Sequence, residues 1–183
     1  PTEAELEKVK AILIPGSNLN VYNDFDFLRK TENFLKKLLD DILFNNKYPQ
    51  LKILGICFGM QIIVKALGGE VIKGTIVERS PVKMNLDEAF WQFKYVKDSQ
   101  VNKREYLKIC EAHGDFITKL PDEKYKFKKY GSSENCEYEC ICDEKGKVFM
   151  VQGHPEYHPD FSCMRGARFF LSFKKIETTE ENI

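Results

Sequence analysis

The hydrophobic positions of this chain follow two spacings, and each spacing predicts a different element. Across residues 25–44 an apolar side chain recurs every three or four positions. This predicts an amphipathic helix whose buried face carries Leu28, Leu35, Leu38, Leu39 and Ile42. Short apolar runs at residues 11–14, 52–54 and 148–152 predict buried strands. Strands that alternate with helices predict an α/β fold.

The later part of the chain predicts a hairpin. Its turn is Asp143-Glu144-Lys145-Gly146, between the strand at 148–152 and the segment 136–142. In that segment three cysteines share one parity and two glutamates take the other, so we predict a half-buried strand with Cys136, Cys140 and Cys142 inward and Glu137 and Glu139 outward. A last helix is predicted at residues 160–175.

Between these parts, residues 70–102 are expected to form short strands and loops. The aromatic side chains there would cover the sheet or the rim of a pocket; they are Phe90, Trp91, Phe93 and Tyr95. At the start of the chain, Thr2 and Glu5 have the spacing of a capping box and predict a helix start.

The run LKILGICFGMQ places a cysteine where an apolar strand turns into a helix predicted at residues 60–67. Gly55 and Gly59 flank this turn and permit the strained backbone of a nucleophile elbow around Cys57. The helix that follows directs unpaired N–H groups and the positive end of its dipole at the sulfur, which favours the thiolate. Cys57 is therefore the candidate nucleophile, with a buried core thiol as the alternative.

The segment KVFMVQGHPEYHPD supplies a candidate base. His154 and Glu156 lie two residues apart, and Pro155 between them holds the chain extended, so both side chains can project to the same side. We predict that His154 accepts the proton of Cys57 and that Glu156 orients the imidazole, as in the triads of acyl transfer. A structural loop histidine is the alternative.

Two of these motifs carry a resemblance to a known family. GICFGMQ followed by QGHPE resembles the class I glutamine amidotransferases, and three weaker segments agree with it: ILIPGSNLNVYND, EAHGDFITKLP and YGSSENCEYECIC. Within that family the chain looks most similar to small stand-alone GMP-synthase-like members and to gamma-glutamyl peptidases. The resemblance implies a flavodoxin-like three-layer sandwich, with a mostly parallel central sheet and a C-terminal β-hairpin extension.

The resemblance also implies roles for further residues. The oxyanion hole would use the N–H group of Phe58 and one from the loop at Gly16 and Ser17. Substrate binding would involve Gln61, Gly55, His113, Gly114 and Asp115, and His113 would brace the pocket rather than take part in the chemistry. The implied reaction is hydrolysis of the side-chain amide of glutamine through a cysteine thioester, with no metal and no organic cofactor.

Two alternatives stand beside glutamine hydrolysis. A gamma-glutamyl peptide or glutathione conjugate offers the same amide to the same triad, so a gamma-glutamyl peptidase is the second hypothesis. The third is a binding module that keeps the fold without turnover. Because these residues contain no recognisable ATP-binding or synthetase domain, the ammonia of such a glutaminase would go to a synthetase acting in trans, to a domain outside these residues, or to no acceptor.

Composition narrows the range of partners. The chain has 183 residues, with 28 basic and 28 acidic side chains. A balanced charge predicts neither nucleic-acid nor anionic-membrane binding, and the absence of a long apolar run or a signal-peptide pattern predicts a cytoplasmic protein. Six cysteines without a C-x-x-C pair favour buried thiols over zinc or disulfides.

The sequence departs from the family pattern in two places. Family members begin with a strand, a helix and a second strand before the oxyanion loop, whereas ILIPGS begins here after only 11 residues. We therefore expect one domain over residues 1–183 that lacks the first strand-helix-strand. The run GTIVERSPVKMNL, from Gly74 onward, also fits the family pattern less well.

Overall fold

The computed structural model describes residues 1–79, 81–99 and 102–156. Its strands are β1 (Ala11–Ile14), β2 (Lys52–Ile56), β3 (Glu70–Glu78), β4 (Pro81–Leu86), β5 (Tyr106–Cys110), β6 (His113–Lys119), β7 (Phe127–Ser132), β8 (Cys140–Asp143) and β9 (Val148–Val151). The α-helices are α1 (Glu3–Leu6), α2 (Asp26–Leu43), α3 (Phe58–Ala66) and α4 (Lys94–Asp98), and short 3₁₀ helices span Glu88–Gln92 and Glu123–Tyr125. The helix predicted at residues 160–175 lies outside the described residues.

The main sheet of the described chain has seven strands in the order β1-β2-β9-β8-β7-β4-β5. β1, β2 and β9 are parallel, whereas the pairings from β9 through β8, β7 and β4 to β5 are antiparallel. A separate antiparallel pair joins β3 and β6. The α/β fold class and the hairpin of β8 and β9 are confirmed, and the antiparallel part extends beyond that hairpin to β7, β4 and β5.

Side-chain alternation on the parallel strands builds a core on both faces of the sheet. Ile53, Val148 and Met150 pack with α2 and α3 on one face. Leu54 and Phe149 pack on the other face with Phe90, Trp91 and Tyr95. The sheet is therefore a middle layer between helices on one side and residues 88–98 on the other, and the aromatic cover predicted for the sheet is confirmed.

The predicted helices are confirmed close to their expected ends. The Thr2 side chain accepts the N–H of Glu5, and the Glu5 carboxylate accepts the N–H of Thr2, which completes the capping box of α1. The α2 helix spans residues 26–43 of the predicted 25–44. The α3 helix begins at Phe58 instead of residue 60 and ends one residue earlier than predicted. Its last carbonyls are capped by the N–H groups of Gly68 and Gly69.

Two expectations for strands were wrong. Residues 70–78 form one nine-residue strand, β3, instead of short strands and loops. The strand predicted from Cys136 begins only at Cys140. Glu139 is fully buried instead of facing outward. The register shift between Lys129 and Gly131 on β7 explains the burial of Glu139. The Glu139 N–H donates to the Gly131 carbonyl, and the Glu139 carbonyl accepts the N–H of Gln152.

Candidate active site

The candidate nucleophile lies at the carboxyl end of β2. Cys57 has φ +51° and ψ −110°, an unusual backbone conformation for a residue with a side chain, and it is the N-cap of α3. Beyond the turn, α3 lies very close to the end of β1. A Cβ atom added to Gly59 would lie 2.0 Å from the Ile14 carbonyl oxygen. Cys57 is 5% exposed. The elbow geometry expected from the flanking glycines is present.

His154 and Glu156 meet as their spacing predicted. His154 Nδ1 lies 2.8 Å from Glu156 Oε1. The imidazole is buried, whereas 44% of the Glu156 side chain is exposed. Burial lowers the pKa of His154, but hydrogen bonds with the Cys57 thiol and the Glu156 carboxylate outweigh this and raise the pKa to about 9. Both partners act on the same ring, so the side chains of Cys57, His154 and Glu156 lie together.

The loop after β1 closes over the same point. A Cβ added to Gly16 would lie 2.7 Å from His154 Cε1 and 3.6 Å from Cys57 Cβ, so this position has no room for a side chain. The Ser17 hydroxyl accepts the N–H of Leu19. Farther along the loop, Lys65 Nζ lies 2.5 Å from the Val21 carbonyl oxygen, and the Tyr22 hydroxyl donates to Asp115 Oδ1 at 2.9 Å. The loop is thereby held at Val21 and Tyr22 by two neighbouring elements.

These segments come together because parallel strands present their carboxyl ends at one edge of a sheet. Gly16 follows β1, Cys57 follows β2, and His154 follows β9. In open α/β sheets this edge is where ligands bind. Three segments that are far apart in the sequence therefore meet for a topological reason.

A cavity of about 580 Å³ opens beside Cys57. Of the residues predicted for the site, the lining includes Ser17, Cys57, Gln61, His113, Gly114 and Asp115. Gly16, Gly55, Phe58, His154 and Glu156 are not among the lining residues. Gly55 instead packs against the backbone of Gly59, where an added Cβ would lie 2.9 Å from the carbonyl carbon and oxygen.

The buried amide of Gln61 ties α3 to the opposite wall of the cavity. Its Nε2 donates to the Asp115 carbonyl and to Gln152 Oε1, both at 3.2 Å. His113, expected to brace the pocket, is buried in that same wall, with Nδ1 3.0 Å from the Asp115 carbonyl oxygen. The H-G-D residues form the start of β6, so the wall is a strand.

Sequence reasoning missed several residues of this region. Tyr22, Lys73, Arg79 and Glu111 line the cavity, and Gln152 supports Gln61 from below. Lys73 lies in β3 and Arg79 directly follows it. The sequence did not predict β3 as one long strand. Glu111 gave no usable signal, because a carboxylate in a sequence predicts an exposed side chain.

The described residues contain no group of three or more histidine, cysteine, aspartate or glutamate side chains arranged to hold a metal ion. In the same part of the chain Cys57, Cys136, Cys140 and Cys142 are thiols outside any disulfide. No helix within the described ranges is both long and apolar enough to span a bilayer.

Comparison with curated proteins gives relatives of two kinds. Gamma-glutamyl peptidase 4 of Arabidopsis thaliana is 33% identical over 163 residues, which are 87% of this chain and 59% of that protein. The glutamine-hydrolyzing GMP synthase of Wigglesworthia glossinidia brevipalpis is 32% identical over 154 residues, 82% of this chain and 26% of that protein. The chain thus spans less than two thirds of the length of either relative.

Solved structures share the fold. A glutamine amidotransferase from Thermotoga maritima superposes with a TM-score of 0.65 at 22% identity, covering 94% of this chain and 68% of that one. A candidate GMP synthase component from Thermoplasma acidophilum gives a TM-score of 0.70 at 23% identity, covering 95% and 75%. The family model described as glutamine amidotransferase class-I matches residues 1–170. The chain therefore belongs to the class-I glutamine amidotransferase family.

Proposed function

We propose that this protein is a cysteine-dependent amidohydrolase that cleaves the side-chain amide of glutamine and delivers ammonia to a synthetase partner. The observation that carries the proposal is the meeting of Cys57 with the hydrogen-bonded pair of His154 and Glu156, beside an open cavity that Cys57 lines. Family membership supports the same reaction class. The relatives named as GMP synthases motivate the synthetase partner.

In the proposed mechanism, the thiolate of Cys57 attacks the amide carbon of the substrate. The Nδ1–H group of His154 forms a hydrogen bond to Glu156 and keeps its proton. His154 holds a second proton on Nε2 and transfers it to the departing nitrogen, so that ammonia leaves. A water molecule, deprotonated by the same nitrogen, then attacks the thioester and releases glutamate. Glu156 keeps the imidazole in the required tautomer throughout.

The negative oxygen formed in both steps needs donors. We assign this role to the N–H group of Phe58 at the first position of α3 and to an N–H group in the loop of Gly16 and Ser17. Removing one such donor typically costs about 3 to 4 kcal/mol of transition-state stabilisation. The tight approach of Gly16 to both Cys57 and His154 supports the assignment to this loop.

For substrate binding we propose the wall of the cavity that carries Gln61, Gly114 and Asp115. Asp115 faces Tyr22 across the opening, and their hydrogen bond presents a polar rim to an entering amino acid. His113 would support this wall from behind rather than contact the substrate. Gly55 would serve the close packing of β2 and α3 instead of binding.

A gamma-glutamyl peptidase is the second candidate, and the cavity itself favours it. A volume of about 580 Å³ falls in the range of sites for ligands larger than one amino acid. Lys73 and Arg79 line it, and within the described residues neither makes an ion pair, so they could take the terminal carboxylate of a peptide. The Arabidopsis relative named as a gamma-glutamyl peptidase adds support.

The test compares hydrolysis of glutamine, gamma-glutamyl dipeptides and glutathione conjugates by the purified protein and by Cys57→Ala. Cys136→Ala is the matched control, because it also removes a buried thiol but lies away from the cavity. We expect glutamine turnover that Cys57→Ala abolishes and Cys136→Ala retains. Fast hydrolysis of gamma-glutamyl peptides with poor use of glutamine would favour the peptidase instead. No turnover of any of these substrates would favour a binding module.

A further inference from the structure

Four titratable side chains are buried together at one wall of the cavity. They are Glu78 at the end of β3, Glu111 between β5 and β6, His113 at the start of β6, and Glu139 before β8, and each residue is less than 9% exposed. Buried carboxylates are costly unless they are paired or protonated. A set of three around one histidine therefore calls for a physical explanation, and we call these four residues the buried acid cluster.

Hydrogen-bonding chemistry places a proton inside the cluster. His113 Nδ1 faces the Asp115 carbonyl oxygen, which can only accept, so Nδ1 carries a hydrogen. His113 Nε2 lies 3.1 Å from Glu78 Oε2 and 3.2 Å from Glu111 Oε2. These are ion-pair distances, although Nε2 and the two oxygens have no partner that meets hydrogen-bond geometry. Burial lowers the pKa of His113, but Glu111 outweighs this and raises it, which favours an imidazolium.

Glu111 also contacts the segment that carries the proposed base. The His154 N–H donates to the Cys110 carbonyl at 2.7 Å, which fixes the backbone of that segment against the end of β5. A Cβ added to Gly153 would lie 2.3 Å from Glu111 Oε1. The Glu111 carboxylate thus lies directly against the backbone that precedes His154.

Charge couples the two residues as well. Burial is the largest effect on Glu111 and raises its pKa, and the smaller effects of His113 and of the positive charge of His154 act in the opposite direction. The titratable groups that face His154 are Cys57, Glu156 and Glu111. Glu111 in turn faces His113, Glu78 and Glu139, and burial followed by the charge of Glu111 raises the pKa of Glu139 to about 8.

We propose that Glu111 is a positioning residue for His154: it holds the Gly153–His154 segment against the end of β5 and supplies a buried negative charge that favours the imidazolium form. The proposal rests on the proposed role of His154 as the base. It assigns to Glu111 a second negative charge near the imidazole, in addition to that of Glu156. Because Glu111 is shielded from solvent, its influence is screened less by salt than that of Glu156.

The test is an NMR titration of the histidine rings, which needs no turnover. The chain has three histidines, so the signals of His154 are identified with variants of the other two. Glu111→Gln keeps the shape of the side chain and removes its charge. We expect it to lower the pKa of His154 by roughly 0.5 to 1 unit, the size of effect for one charge several ångströms away at an intermediate dielectric.

Glu78→Gln is the matched control, since it removes the other carboxylate at His113 Nε2, which is not among the atoms nearest to Gly153. We expect it to leave the titration of His154 nearly unchanged. The proposal is overturned if the pKa of His154 is unchanged in folded Glu111→Gln, or if it shifts equally in both variants. Glu111→Asp keeps the charge but moves it farther from His154, because its side chain is shorter. This variant should therefore lower the pKa of His154 by less than Glu111→Gln does, and it replaces Glu111→Gln if that variant does not fold.

This outcome is separable from the proposed function. If Cys57→Ala retains full activity while Glu111→Gln still shifts His154, the positioning role of Glu111 stands and the proposed nucleophile fails. If Cys57→Ala is inactive and Glu111→Gln lowers stability without moving the titration of His154, the nucleophile stands and Glu111 serves packing alone.

Discussion

At the scale of single residues, the protonation state of His154 decides what the site can do. Its raised pKa of about 9 favours an imidazolium at neutral pH, the form that the proposed mechanism needs to protonate a departing nitrogen. The contribution of Glu156 to this state is limited by its exposure, because a partly solvated carboxylate is screened by water and salt. The site therefore depends on more than one partner of the ring.

A pH profile tests this state. In the wild-type protein we expect kcat/KM to fall as pH rises through about 9, where His154 loses the proton that the leaving group needs. Glu156→Gln removes a group that raises this pKa, so the alkaline limb should move to lower pH and kcat should fall. An alkaline limb at the same pH in both proteins would contradict the pairing of His154 with Glu156.

The same pKa affects stability with a definite sign. A histidine whose pKa is higher in the folded state stabilises the fold fully below its unfolded value of about 6.5. That contribution is lost as pH rises through about 9. The wild-type melting temperature should therefore decline over this window more than that of His154→Gln, as measured by calorimetry at a series of pH values. Parallel declines would show that His154 is not the group responsible.

At the scale of elements, the loop between β1 and α2 is held by two contacts to neighbouring elements. Lys65 on α3 binds the Val21 carbonyl and also pairs with Glu32 at 2.8 Å. Tyr22 binds Asp115 on β6. Because Gly16 precedes these anchors in the same loop, their loss should change the position of the proposed oxyanion donors.

We predict that Lys65→Met lowers kcat by roughly 5- to 30-fold, which corresponds to about 1 to 2 kcal/mol for a lost charged hydrogen bond. Lys145→Met is the matched control, because Lys145 Nζ donates to the Leu43 carbonyl at 2.6 Å, away from the cavity. Both variants should lose similar thermal stability, and only Lys65→Met should lose activity. Equal kcat values for the two variants would show that the anchor is structural alone.

The elements also show where sequence reasoning succeeds. The α2 helix and the β8–β9 hairpin follow from local signals, namely a 3.6-residue apolar repeat and an Asp143 turn whose carboxylate accepts the N–H groups of Lys145, Lys147 and Val148. The inward side chain of Glu139 does not follow, because a register shift on the neighbouring strand β7 causes it. The alternation of side chains along one strand gives no information about the register of the neighbouring strand.

The residues of the candidate site also divide into those that the sequence can predict and those that it cannot. Cys57, His154 and Glu156 could be predicted because each lies in a short motif with a physical signature. Tyr22, Lys73 and Arg79 could not, since their place at the cavity depends on how the β3–β6 pair stands beside the main sheet. The buried acid cluster is a further case, because carboxylates in a sequence predict exposure until their tertiary partners are known.

At the scale of the whole molecule, the fold brings the candidate catalytic residues together at one edge of the main sheet. The carboxyl ends of β1, β2 and β9 contribute Gly16, Cys57 and His154, and the β3–β6 pair forms the facing wall. The core on both faces of the main sheet fixes these strands, so the site is built on rigid elements and only its loop depends on separate anchors. This arrangement fits a preorganised nucleophile.

The most direct test of the central claim is to identify the residue that reacts with a glutamine-mimicking diazo ketone. Burial raises the pKa of the Cys136, Cys140 and Cys142 thiols, which disfavours their reactive thiolate forms. Peptide mapping by mass spectrometry after one equivalent of reagent should therefore locate the adduct on Cys57, and free glutamine should slow its formation. An adduct on another cysteine with Cys57 unmodified would contradict the proposal that Cys57 is the nucleophile.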